Sequence, residues 1–109
     1  MQNIFGKRIG KNGYVDSIVG DEQRCFLCGR RDRGLHRHEV YHGISYREKS
    51  KNLGLWVNLC YECHDRLHHH DASLDRKLKE EMQRRAMSEF GWSIDDFRRE
   101  FGKSYLGES

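Results

Sequence analysis

The clearest pattern of hydrophobic and polar positions lies in the C-terminal third of the chain. Apolar residues recur there every four positions, at Leu74, Leu78, Met82, Ala86 and Phe90. Side chains four residues apart share one face of an α-helix, so the pattern predicts an amphipathic helix whose apolar face packs against the rest of the protein. Gly91 follows the last of these residues, in a position where glycine commonly ends a helix.

A second, shorter helix is predicted directly after this one. Ser93 is a favourable N-cap residue, and Asp96, three positions later, completes a pattern that resembles a capping box. We expect this helix to span residues 94–101 and to end at Gly102.

Two short apolar segments in the middle of the chain predict β-strands. They are Leu35–Tyr41 and Leu55–Leu59, and the second leads toward a helix expected over Cys63–His70. The polar segment 44–54 between the strands is predicted to be a loop, with or without a helical turn. The fold class that follows is α+β, a small strand–loop–strand–helix unit with additional C-terminal helices.

Three regions divide the chain. Residues 1–24 are punctuated by glycines and predict an arm or one or two short strands. Residues 25–70 form the expected strand–loop–strand–helix core, which includes a turn through Gly29–Gly34. Residues 71–109 are expected to be helices that pack on this core.

Composition limits what the protein can be. One domain is expected for 109 residues, of which 36% are hydrophobic and 34% charged, a polar composition that still permits a folded chain. The net charge of +3 is compatible with nucleic-acid binding but does not by itself indicate it. The chain has no apolar run long enough to span a membrane and no signal-peptide pattern at its start, so we expect a cytoplasmic protein.

All four cysteines fall into two identical pairs, Cys25-x-x-Cys28 and Cys60-x-x-Cys63. Two intervening residues allow a tight turn to aim both thiolates at one metal ion, so the two pairs predict one tetrahedral structural Zn²⁺ that staples a small core. A redox dithiol and a pair of disulfides are the alternatives. Disulfides suit a secreted mini-protein, and the expected cytoplasmic location argues against them.

The placement of the histidines predicts a second metal site. His38 lies on the first strand, whereas His64 and His68 lie four residues apart on one face of the following helix. Two histidines at this spacing chelate a metal, and a histidine of the first strand, which carries both His36 and His38, would add a third ligand while leaving coordination positions open, as a catalytic metal requires. His36 is interpreted as a solvent-exposed or supporting residue, and His69 and His70 as surface residues. No role is assigned to His42.

Three segments together resemble one known family. They are the first cysteine pair, Leu35–Val40, and Leu59–His68, which contains Leu-Cys-x-x-Cys-His-x-x-x-His. In these segments the chain resembles the HNH nucleases of the ββα-metal class, in their zinc-knuckled form. The loop Arg47–Ser50 and the tail Phe101–Leu106 are similar to a small phage- and prophage-encoded branch of that family.

The resemblance implies a zinc-stapled ββα-metal fold and a role for each matching residue. His38, His64 and His68 match the metal ligands and Glu39 matches the general base, so His38, Glu39 and His64 are the expected catalytic residues. The implied cofactors are the structural Zn²⁺ and a catalytic Mg²⁺, Mn²⁺ or other divalent ion. The chain departs from the family at two positions. Glu39 stands where the family usually has histidine, so Glu39 could be either the base or a metal ligand. Leu55 stands where the family has its middle asparagine.

Four basic residues are candidate contacts to nucleic-acid phosphates: Arg37, Arg47, Lys49 and Arg66. The alternative for them is a solvated charged surface. Two functions remain open at this point. The first is a metal-dependent endonuclease that hydrolyses phosphodiester bonds, with DNA as the expected nucleic acid, and the second is a catalytically weak or inactive zinc-binding module that binds nucleic acid or a protein partner.

Overall fold

The computed structural model describes residues 1–20, 23–31 and 34–106. Within these residues the protein is a small α+β structure with one two-stranded sheet and four helices. In chain order the elements are β1 (His36–Glu39), α1 (Arg47–Leu53), β2 (Trp56–Leu59), α2 (Tyr61–His69), α3 (Ala72–Phe90) and α4 (Ile94–Phe101). Parts of three predicted regions lie outside the described residues, namely 21–22 of the arm, 32–33 of the Gly29–Gly34 turn and 107–109 of the C-terminal segment.

The two predicted strands form an antiparallel sheet. β1 pairs with β2 so that His38 lies opposite Val57. Successive side chains of a strand alternate between the faces of a sheet, so His36 and His38 lie on one face and Glu39 lies on the other. Both strands are shorter than the apolar segments that predicted them, because the ladder holds only four residue pairs.

The segment predicted as a loop, 44–54, contains the helix α1. The sequence of α1 has no apolar residues at helical spacing, and contacts with the rest of the fold stabilise the helix. The buried Ser50 hydroxyl donates to the Tyr41 carbonyl at 2.6 Å and accepts from the Tyr41 N–H at 3.2 Å. Gly54 ends the helix with a left-handed φ of 75°, and a side chain there would collide with the Asp16 carbonyl group. The loop prediction was therefore wrong for residues 47–53.

Local capping residues determine the ends of the two C-terminal helices. Asp71 caps α3 by accepting from the Leu74 N–H at 3.1 Å, and Gly91 ends it with a φ of 68°, as predicted. At α4, the predicted capping box is confirmed, because the Ser93 hydroxyl and the Asp96 carboxylate each accept the other residue's N–H, at 3.1 and 2.9 Å. None of the described helices is long and apolar enough to cross a membrane.

The apolar stripe of α3 faces the core, as predicted. Leu78, Met82 and Ala86 are buried, whereas Leu74 and Phe90 at the two ends of the stripe are partly buried. The stripe therefore serves packing and does not present a ligand-binding face.

An aromatic cluster joins the sheet to α4. The Tyr41 ring follows β1 and lies 5.2 Å from the Phe97 ring and 4.7 Å from the Phe101 ring, measured between centroids. The Tyr41 hydroxyl donates to the Lys79 carbonyl of α3 at 2.6 Å. One side chain thus connects the sheet, α3 and α4.

The N-terminal segment contains no regular strand among the described residues up to 20. An isolated bridge joins Gln2 to Arg8, and the chain then runs along the corner between α1 and β2. There the Val15 N–H donates to the Lys51 carbonyl at 3.0 Å, and the Trp56 indole donates to the Val15 carbonyl at 2.8 Å. This part of the N-terminal segment is therefore bonded to the core through its backbone.

The first prediction concerns the packing of α3. Leu78 is 3% exposed, so Leu78→Ala should lower the free energy of unfolding by about 2–5 kcal/mol, because it leaves a cavity in the core. The measurement is a chemical denaturation series. Leu74→Ala, at the partly buried end of the same stripe, is the matched control and should cost clearly less. Equal losses for the two variants would contradict this account of the helix.

Candidate metal and catalytic site

The four cysteines come together from two distant parts of the chain. The sulfur atoms of Cys25, Cys28, Cys60 and Cys63 all lie within 4.8 Å of one another, and all four residues are free cysteines. Sulfurs bound about 2.3 Å from a tetrahedral zinc lie about 3.8 Å apart. The distance between Cys28 Sγ and Cys60 Sγ is 3.8 Å. This cluster could coordinate a metal such as zinc.

Backbone contacts bring the two cysteine pairs together. The Phe26 N–H donates to the Asn58 carbonyl at 2.8 Å, which attaches the first pair to β2. The second pair lies at the start of α2, where Cys60 is the N-cap residue and its sulfur accepts from the Cys63 N–H at 3.5 Å. The cluster therefore ties the segment before β1 to the end of β2 and the start of α2.

The thiols of the cluster differ in acidity. Burial opposes ionisation of Cys25, but hydrogen bonds with the backbone of Cys60, Cys28 and Leu27 outweigh it and lower the Cys25 pKa from 9.0 to about 7. Burial and the neighbouring thiols raise the Cys63 pKa far above its usual value. Four thiolates this close repel one another, and a divalent cation supplies the charge that allows all of them to ionise.

A second cluster consists of histidines from β1 and α2. Ligand atoms of His38, His64 and His68 lie within 4.8 Å of one another. Nitrogens bound about 2.1 Å from a metal lie about 3.0–3.4 Å apart at bond angles of about 90–109°, and the Nε2 atoms of His64 and His68 are 3.1 Å apart. His38 is 3% exposed, and its buried Nε2 has no hydrogen-bond partner.

Burial keeps imidazoles of this cluster neutral. It lowers the His38 pKa from 6.5 to about 3, with His68 and His64 adding to the effect. Burial also lowers the His64 pKa, with smaller contributions from His68 and His36. A neutral imidazole has a lone pair for a metal, so these two residues have the protonation state that ligands require near neutral pH.

Glu39 and the histidine cluster line one cavity of about 360 Å³. The Tyr14 hydroxyl donates to Glu39 Oε2 at 2.8 Å, and Arg47 Nε lies 3.4 Å from Glu39 Oε1. The Glu39 side chain is 13% exposed. The full lining is Tyr14, Arg37, His38, Glu39, His42, Arg47, His64 and His68. The cavity thus combines four imidazoles, one carboxylate, one phenol and two guanidinium groups.

The remaining histidines surround the cluster without joining it. The His36 ring lies 5.4 Å from the His64 ring at the exposed end of β1. His42 lines the cavity, with its ring 5.9 Å from that of His38, a proximity that the sequence did not indicate. His69 and His70 are exposed beside Asp65, at 4.0 and 3.2 Å from its carboxylate, as expected for surface residues.

The four basic candidates occupy different places. Arg47 lines the cavity, and Arg37 lines it while its guanidinium lies 4.6 Å from the centre of the Tyr14 ring. Lys49 Nζ donates to the carbonyl of Glu100 in α4 at 2.7 Å. Arg66 pairs with the carboxylate that caps α3, at 3.4 Å. The structure thus brings two of the four to the cavity, and the nucleic-acid contacts of all four stay predictions.

Besides His42, Tyr14 is a site residue that the sequence analysis missed. It lies in the N-terminal segment, outside the part of the chain that resembles the HNH nucleases, and no motif marks it. The only sequence signal for Tyr14 is an aromatic residue after a glycine-rich stretch, which is too common to indicate a site.

Leu55, which stands where the HNH nucleases have an asparagine, is fully buried in the core.

Comparison with known proteins assigns no family to this geometry. No family model, no curated protein and no solved structure matches the chain. The likeness to the HNH nucleases therefore stays a prediction made from residues and spacing.

The second prediction concerns the cysteine cluster. Cys60→Ser should abolish zinc binding and cooperative folding, because structural zinc contributes on the order of 10 kcal/mol in small domains. The measurements are metal content by mass spectrometry and a thermal melt. Tyr61→Ser, a change at the exposed neighbouring residue, is the control and should keep both properties. A folded, zinc-free Cys60→Ser protein would contradict the prediction.

Proposed function

We propose that this protein is a metal-dependent endonuclease of the HNH type that hydrolyses phosphodiester bonds of nucleic acid, with DNA as the expected substrate. The observation that carries the proposal is the buried, unpartnered Nε2 of His38 beside the histidine pair of α2. A buried polar atom without a partner is costly, and a bound cation would satisfy it. The neighbouring carboxylate of Glu39 adds a group that can accept a proton.

His38, His64 and His68 would hold the catalytic ion. Three protein ligands leave coordination positions for water and substrate, as in other catalytic sites. When bound, a divalent cation polarises the scissile phosphate and stabilises the developing charge on the leaving oxygen. Glu39 is not a member of the ligand group within 4.8 Å, which favours its role as base over its role as ligand.

Glu39 would accept a proton from the attacking water. The water oxygen then bonds to phosphorus, the bond between phosphorus and the leaving oxygen breaks, and the leaving oxygen takes a proton from solvent. A carboxylate is a weaker base than imidazole, since its ordinary pKa is about 4.3. Arg47, whose side chain is 64% exposed, is available at the cavity to stabilise charge on the phosphate.

One observation favours the second candidate, a zinc-bound module without efficient chemistry that binds nucleic acid or a protein. Both carboxylate oxygens of Glu39 already have partners, in Tyr14 and Arg47, a bonding pattern that a purely structural carboxylate also shows. Metal stoichiometry separates the candidates. A single tight zinc per chain, with no second ion bound at the histidines, would favour the binding module.

The third prediction tests the histidine cluster. His64→Ala should abolish cleavage of plasmid and single-stranded DNA in Mg²⁺, Mn²⁺ and Ni²⁺, because it removes a ligand of the second ion only. The structural zinc and the melting temperature should stay unchanged. His69→Ala, on the same helix but exposed, is the matched control and should cleave like the wild type. Unaltered cleavage by His64→Ala would exclude the proposed site.

The fourth prediction separates the two roles of Glu39. As a base, Glu39→Gln should lower the cleavage rate by roughly 10²–10⁴-fold at unchanged metal affinity, and Glu39→His should keep or raise activity. As a ligand, Glu39→Gln should weaken metal binding, and excess Mn²⁺ should partly restore cleavage. Rates and metal affinities are measured on the same preparations. If the wild type and Glu39→His both cut no DNA or RNA with any divalent ion, the nuclease proposal fails.

A further inference from the structure

Glu39 is held from two sides by residues outside the histidine cluster. The Tyr14 hydroxyl donates to one carboxylate oxygen at 2.8 Å, and Arg47 Nε lies 3.4 Å from the other. A glutamate side chain has several rotatable bonds and adopts many rotamers when nothing restrains it. Here both ends of the carboxylate have a partner, so its orientation is restrained.

Tyr14 is itself restrained. Its ring packs edge-on against the Trp56 ring, with centroids 5.4 Å apart and an interplanar angle of 78°. The Arg37 guanidinium lies over both rings, 4.6 Å from the Tyr14 centroid and 5.0 Å from the Trp56 centroid. The Gly10 N–H donates to the Tyr14 carbonyl at 2.8 Å. The Tyr14 ring is therefore held by contacts with Trp56 and Arg37 in addition to its contact with Glu39.

We propose that Tyr14 is a positioning residue that holds the Glu39 carboxylate in the orientation from which it accepts a proton from water. The inference rests on the proposed function, since it requires Glu39 to be the base. It gives the N-terminal segment a part in the reaction. Tyr14 acts through Glu39 and does not belong to the histidine ligand group.

The chemistry of the pair fits this role. An ionised carboxylate offers about four lone-pair sites, so one hydrogen bond and one ion pair leave capacity for water. Burial, followed by the hydrogen bond and charge of Glu39, raises the pKa of Tyr14 from 10.0 to about 12. The phenol therefore keeps its proton at neutral pH and remains a donor. A misplaced base loses efficiency even when its acidity is suitable, because proton transfer needs a short, aligned contact.

The test is Tyr14→Phe, which removes the hydroxyl and keeps the ring. We expect kcat to fall by roughly 10–100-fold, the range that corresponds to losing a hydrogen bond to a charged group. KM and the affinity for Mn²⁺ should stay unchanged. In a Glu39→Gln background the same substitution should cause no further loss, because no base remains to be positioned.

Tyr41→Phe is the matched control. It also removes a hydroxyl hydrogen bond, to the Lys79 carbonyl in the core, and should lower stability without lowering kcat. A Tyr14→Phe protein with the wild-type kcat, or with weaker Mn²⁺ binding as its main defect, overturns the inference and leaves the proposed function standing. An additional loss in the Glu39→Gln background also overturns the inference alone. A wild type that cleaves nothing overturns both.

Discussion

Four thiols from two sequence-distant turns converge at one point of the structure. Cys25 and Cys28 precede β1, whereas Cys60 and Cys63 lie at the junction of β2 and α2, so the cluster closes a loop that contains the entire sheet. A cation that binds this cluster only in the folded state stabilises that state directly. Small domains with little apolar surface depend on such a staple. The same closure sets the start of α2, because Cys60 is its N-cap residue.

The position of α2 in turn creates the histidine cluster. Once the helix starts at the end of β2, His64 and His68 face the side of β1 that carries His38. Burial lowers the His38 pKa, because it destabilises the charged form of the imidazole relative to the neutral form. The cysteine cluster and the histidine cluster are thus linked through one helix, since α2 begins at Cys60 and carries both His64 and His68.

On the other face of β1, Arg37 and Glu39 contact the Tyr14 side chain, which lies between the packed Trp56 ring and the cavity. Arg37 lies over the rings of Tyr14 and Trp56, and Tyr14 reaches Glu39. Through the Trp56 indole, which donates to the Val15 carbonyl, the N-terminal segment is tied to β2. The segment therefore contributes both to the core and to the site. Arg37, a candidate for phosphate contact, also covers these aromatic rings, so a substitution there would change packing as well as charge.

The sequence by itself determined the features that arise from residues close together in the chain. The end of α3 at Gly91, the capping box of α4 and the two cysteine pairs need only short-range spacing, and all are present in the structure. The spacing of His64 and His68 paired them on one helical face, and the resemblance to the HNH nucleases added His38 to the pair. Tertiary structure decided that residues 47–53 form a helix, since no periodicity marks them and the helix is bonded to the core through the contact between Ser50 and Tyr41. It alone decided the contact between Tyr14 and Glu39, because that contact joins residues 25 positions apart through packing that no local pattern encodes.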